Sequence, residues 1–274
     1  MHKARLRITV LGTVIASGLA LMAASSMAAG TLPTLTLAVT KNSIKVGGQK
    51  VSGAVQIATT VSGEASDDSA LVLLKPGVTV AQFGAAVSKI GDGPLDAIDP
   101  YGTIVYDSAI APEGQTMTGE ATLPAGTYIA LNEGNGHAVF KVTRSAHPAT
   151  LPRAAATVTT IDFAFRGAST LRDGELVRFI NDGYMVHMFQ VAQAKNVAGA
   201  KKAEADLLAG KANAAKKYAI AAPIQLAGPI SSGTSQESVV TAPPGVYVLY
   251  CSMNTQDGRE HFQLGMFRTI RIVK

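Results

Sequence analysis

Short runs of alternating apolar and β-branched residues, cut at close intervals by Gly and Pro, leave this chain little choice but to fold as sheets. Thr34-Leu35-Thr36-Leu37-Ala38-Val39 has the period of two that turns one face to a core and the other to solvent. The texture returns in Val51–Val61, Ala70–Leu74, Thr103–Tyr106, Glu120–Leu123, Thr127–Leu131 and Ala138–Val142. It resumes with Val158–Phe165, where Ile161, Phe163 and Phe165 alternate with Asp162 and Ala164 and read as one strand. Leu176–Asn181, the stretch ending at Val191, Ser238–Val240 and Tyr247–Tyr250 complete the set. Short strands with turn signals between them predict an all-β protein built as β-sandwiches.

Ser145–Arg153 carries two prolines and no apolar periodicity, so residues 145–153 read as a linker between halves at 30–144 and 154–274. The halves share a weak repeat. Leu123-Pro124-Ala125-Gly126-Thr127-Tyr128-Ile129-Ala130-Leu131 lines up with Ala242-Pro243-Pro244-Gly245-Val246-Tyr247-Val248-Leu249-Tyr250, and Tyr128 and Tyr247 are expected to pack in the cores. Two stretches break the β texture. Val80–Val87 has helical spacing, and Ala194–Tyr218, rich in Ala, Lys and Leu, predicts a helical insertion in the second half. Lys201, Lys202, Lys211, Lys216 and Lys217 read as its solvated face.

Residues 1–29 have the form of an export signal. A basic start with Lys3, Arg5 and Arg7 precedes an apolar run from Ile8, and small residues around Ala28 and Ala29 offer a cleavage site. No membrane span is expected beyond it. The formal charge of +5 falls to +2 (5 minus 3) without those three cations, too weak a bias for nucleic acid. The expected location is periplasmic or extracellular.

The one cysteine, Cys251, cannot form an internal disulfide. It ends the strand-like Tyr247-Val248-Leu249-Tyr250, and His261 and Met266 follow it. Thiolate, imidazole and thioether are soft donors that suit copper, and two His with a Cys and a weak axial Met describe a blue-copper electron-transfer site. His187, carried by the stretch Asp182–Val191 that ends in a strand, supplies the second imidazole.

The second half resembles the cupredoxins. The resemblance rests on Gly174-Glu175-Leu176-Val177-Arg178-Phe179-Ile180-Asn181-Asp182-Gly183 with His187, on Pro244–Cys251, and on His261-x4-Met266 with Gly265 before the Met. The first half looks like a weaker relative without ligands. The resemblance implies two tandem Greek-key sandwiches and one type 1 copper on His187, Cys251, His261 and Met266. It also implies that His261 lies at the surface as the electron port, rimmed by Phe262, Leu264 and Phe267. Asn181 or a backbone NH near His187 would supply a hydrogen bond around the ligands. The polar stretch Ser252–Glu260 would have to make an excursion and return His261 to the metal.

A one-electron carrier with an unidentified redox partner, working as a monomer, is therefore expected. A metal-free envelope module and a copper storage or delivery protein are the alternatives. Enzyme activity is not expected. A multicopper oxidase needs a further His-rich cluster, and only His137 and His147 remain outside the signal and the proposed site. No phosphate-binding or nucleophile-elbow motif is present.

Overall fold

The computed structural model describes residues 31–274 apart from 64–65, 92 and 134–135. The predicted export signal, residues 1–29, lies outside the described residues. Up to residue 142 the chain forms β1 (Thr34–Thr40), β2 (Ser43–Gly48), β3 (Gly53–Val61), β4 (Ser66–Asp67), β5 (Ala70–Leu74), α1 (Val80–Ile90), β6 (Gly102–Asp107), β7 (Ala111–Pro112), β8 (Thr116–Leu123), β9 (Gly126–Leu131) and β10 (His137–Val142). Then come β11 (Ala156–Ile161), β12 (Ala164–Gly167), β13 (Thr170–Arg172), β14 (Leu176–Asn181) and β15 (His187–Ala194). The helices α2 (Val197–Leu208) and α3 (Ala212–Ala215) follow, and β16 (Ile224–Ile230), β17 (Ser235–Val239), β18 (Gly245–Tyr250) and β19 (Phe267–Val273) close the chain.

The protein is all-β with a small helical insertion, and its strands form two face-to-face packings. Leu35, Leu37, Val55, Ile57 and Leu123 from one sheet meet Leu71, Tyr106 and Tyr128 from the sheet β10-β9-β5-β6. Val158, Val177 and Phe179 meet Phe189, Val191, Leu249 and Ile270 of the sheet β13-β19-β18-β15-β16. Phe179 and Phe189 are fully buried with ring centroids 4.9 Å apart, each contributing about 2–3 kcal/mol by burial. The repeated tyrosines do the same job in each packing. Tyr128 Oη donates to Pro124 O at 2.8 Å and Tyr247 Oη to Pro243 O at 2.6 Å. A buried phenol thus satisfies its hydroxyl on the carbonyl four residues back.

Both packings share one sheet. Its strand order, β12-β11-β14-β17-β8-β3-β1-β2, runs through the whole molecule, because β17 pairs antiparallel with β8. At that seam Glu237 lies opposite Glu120. Glu237 is wholly buried and accepts from Arg178 Nε at 2.5 Å, while its Oε2 and that of Glu120 are buried without a donor. Gln236 adds a reciprocal amide pair with the backbone of Asp107 at 2.9 and 2.8 Å. The 3₁₀ turn Leu95–Ile98 of the first half also reaches across, with the Asp96 carboxylate accepting the Val186 NH.

One expected strand is in fact two. Val158–Phe165 breaks into the hairpin β11–β12, in which Ile161 faces Ala164 and Asp162-Phe163 form the turn. Phe163 has φ 60°, alone among the described non-glycine residues in the left-handed region. It takes the place that glycine normally fills in a tight turn. The apolar alternation survives such a hairpin, so it could not reveal the turn. Ser145–Arg153, read as a linker, runs along the first half, where Ala149 O accepts from Ala54 N at 2.8 Å.

Candidate metal centre

Four elements deliver the candidate donors. His187 opens β15, Cys251 directly follows β18, His261 begins a 3₁₀ turn (His261–Leu264), and Met266 directly precedes β19. Asn181, at the end of β14, holds the loop before His187 in place. Its Nδ2 donates to Met185 O at 2.7 Å and Ile230 O at 2.8 Å, and its Oδ1 accepts from Gly183 N at 3.0 Å and Thr160 Oγ1 at 3.1 Å. With those bonds made, Asn181 is a loop brace. The hydrogen bond near the ligands comes instead from the backbone, where Met188 NH points at Cys251 Sγ at 3.5 Å.

Ser252–Glu260 makes a closed excursion. Thr255 N donates to Arg259 O at 2.8 Å, Gly258 N to Thr255 O at 3.0 Å, and Asn254 bridges Glu260 across the loop. Its foot is sealed by His261 N to Met253 O at 2.8 Å and Phe262 N to Cys251 O at 3.0 Å. His261 is thereby returned beside Cys251. Gly265, with φ 93°, ends the 3₁₀ turn and sets Met266, whose NH donates to His261 O at 3.1 Å.

The resulting triangle is small. His187 Nδ1 lies 3.1 Å from His261 Nδ1, and Cys251 Sγ lies 3.4 Å from His261 Nδ1 and 3.8 Å from His187 Nδ1. Metal–nitrogen bonds of about 2.0 Å and a metal–sulfur bond of about 2.3 Å, set at trigonal angles, put such donors about 3.5–3.7 Å apart. The triangle therefore fits one ion at its centre, and its donor types fit a type 1 copper set. Met266 is wholly buried in the same core as Cys251. His137 and His147 lie exposed, away from the cluster.

The electrostatics suit a metal better than a proton. Burial lowers His187 to about 4, against a smaller opposing pull from Asp162. Burial, then its proximity to His187, lowers His261 to about 4. Both rings are thus neutral near pH 7 and each can offer a lone pair. Burial pushes the Cys251 thiol up to about 12, so a metal must displace its proton.

One expectation fails. His261 is not at the surface: it is 0 % exposed, as are His187, Cys251 and Met266, and Phe262 beside it is 3 % exposed. His261 is enclosed by Phe163, His187 and Cys251, and its neighbours are covered from both sides. Helix α2 and α3 pack Ala203, Leu207 and Ala215 onto Phe262, Val248 and Tyr250. From the other side Val186 and Met253 pack onto Phe83 and Ile98 of the first half.

Sequence reasoning missed Asp162, Phe163 and Gly183. Asp162 Oδ1 accepts from Tyr184 N at 2.8 Å and lies 3.4 Å from His187 Nε2. The Phe163 ring meets His261 edge-on, with centroids 5.5 Å apart at 86°. Asp162 sits inside an expected strand, so its sequence position alone gave no signal.

No family model and no curated protein matches this chain. Among solved structures, auracyanin B is similar at 20% identity over 46% of this chain and 94% of its own, with a TM-score of 0.27. Auracyanin A, a "blue" copper protein from Chloroflexus aurantiacus, is similar at 19% identity over 42% of this chain and 95% of its own, with a TM-score of 0.25. A multicopper oxidase aligns at 12% identity over 89% of this chain and 92% of its own, with a TM-score of 0.24. Likeness at this level adds nothing to what the triangle of His187, Cys251 and His261 already carries: a buried donor set that fits a type 1 copper site.

Proposed function

We propose that this chain is an exported blue-copper protein that takes up and returns single electrons at one type 1 copper. The ligands are His187, Cys251 and His261, with Met266 as the weak axial donor. The convergence of two imidazole Nδ1 atoms and one thiol Sγ within 3.8 Å, fully buried, carries the reading. Copper bound there supplies a one-electron couple between Cu(II) and Cu(I).

The chain's own groups do the rest. The closed Ser252–Glu260 excursion and the Asn181 brace hold the donors on strand ends, so their separation changes little between redox states. Full burial excludes water, and the Met188 NH stabilises negative charge on the sulfur and so tunes the potential. The electron partner is a separate redox protein. Burial of all four donors argues against copper delivery, because handing over the ion would require the cover to open.

Titration of the purified protein with Cu(II), followed by visible and EPR spectra, tests this. The expected result is an intense blue band at one copper per chain with narrow parallel hyperfine splitting, lost in Cys251→Ser. No blue band, or a band that survives Cys251→Ser, overturns it.

A further inference from the structure

A two-residue turn contacts both imidazoles. Asp162 Oδ1 gathers the Tyr184 NH at 2.8 Å, the Met185 NH at 3.3 Å and the His187 Nε2 edge at 3.4 Å. One residue later, Phe163 stands edge-on to His261. His261 needs that neighbour, because its Nε2 is buried with no hydrogen-bond partner among the described residues. On its Nε2 side His261 has only packing to orient the ring, whereas the Nε2 side of His187 meets a carboxylate.

Two further observations show that this arrangement costs the fold something. Phe163 holds φ 60°, a conformation unfavourable for a bulky residue that persists only where its surroundings impose it. At Gly183 an added Cβ would lie 2.6 Å from Asp162 Oδ1, 2.8 Å from His187 Nε2 and 3.0 Å from Asp162 N. The loop before His187 thus passes so close to the Asp162–His187 contact that a side chain there would wedge the two apart.

We propose that the Asp162-Phe163 turn is a positioning clamp for both metal-binding imidazoles. Asp162 keeps the ring proton of His187 on Nε2, so that Nδ1 presents its lone pair to the triangle, and Phe163 fixes the ring plane of His261. Neither residue touches the metal position; each acts through a ligand. The clamp rests on the copper reading for its purpose, but its geometry belongs to the metal-free chain.

The deciding measurement is therefore made without copper. Long-range 15N–1H NMR on the apo-protein at pH 7 reads which nitrogen of His187 carries the proton. The wild type is expected to show Nε2–H alone, Asp162→Ala a mixture, and Asp162→Asn, which keeps an acceptor oxygen, the wild-type tautomer. Chelator competition then reads copper affinity, expected to fall about 10–100-fold in Asp162→Ala and less in Asp162→Asn. Phe163→Gly, which relieves the backbone, should leave the apo-protein folded while altering the EPR hyperfine pattern of the copper form. Unchanged His187 tautomer in Asp162→Ala, or an unaltered copper spectrum in Phe163→Gly, overturns the clamp even if the wild type turns blue. If the wild type binds no copper, the copper reading fails by itself, and the apo-protein spectra still decide the role of Asp162.

Discussion

Replacing Glu120 with Gln should remove a pH-dependent weakness at the seam of the long sheet. Burial, and after it the facing Glu237, raises Glu120 from 4.5 to about 7. A carboxyl whose folded value lies above its unfolded one favours folding while protonated. That contribution is complete below pH 4.5 and is lost as pH rises through 7. The gap of about 2.5 units, at 1.36 kcal/mol each, gives about 0.8 kcal/mol of cost at pH 5 and about 3.3 kcal/mol at pH 8. Glu120 is partly open to solvent, and screening reduces the difference to about 1–2 kcal/mol. Glu120→Gln brings an N–H donor to the residue facing Glu237 and carries no titrating proton. The variant should match the wild type near pH 5 and exceed it at pH 8 by about 1–2 kcal/mol, or about 2–8 °C in Tm. Thermal and urea melts of both apo-proteins at the two pH values measure this. Titration of other groups is common to both and cancels in the comparison. Equal pH dependence in the two proteins would refute a protonated carboxyl at the seam.

Three further outcomes follow from the centre. His187 and His261 are both held near 4, so apo-protein stability should fall as pH drops from about 6.5 to 4, by about 3 kcal/mol for each ring; acid melts with and without copper check it, and the loaded protein should resist. Copper uptake at pH 7 should release about one proton, from the Cys251 thiol, read by calorimetry in buffers of different ionisation enthalpy. Gly183→Ala should cost about 1–3 kcal/mol in denaturant melts, because its Cβ meets Asp162 and His187.

The convergence of His187, Cys251 and His261 was foreshadowed in the sequence because soft ligand types are scarce and these three sit at strand ends and in one loop. Strand periodicity and the paired tyrosines were legible for the same local reason. What the sequence hid was long-range. Alternation in Val158–Phe165 persists through a hairpin, and Asp-Phe is not a turn dipeptide, so neither the turn nor its contacts with the two rings had a local signature. The cover over Phe262, Val186 and Met253 depends on α2, α3 and the first half arriving from far along the chain. No periodicity reports such packing.

Pairing of β8 with β17 has a practical consequence for anyone who would cut this protein in two. A free strand edge is a template for pairing with another chain, and this seam consumes one edge from each half. Excision of residues 154–274 would leave β17 with open amides and carbonyls, and would bring the buried Gln236 and Glu237 into water. Such a fragment is primed for self-association or strand exchange, so the halves are best produced and studied joined.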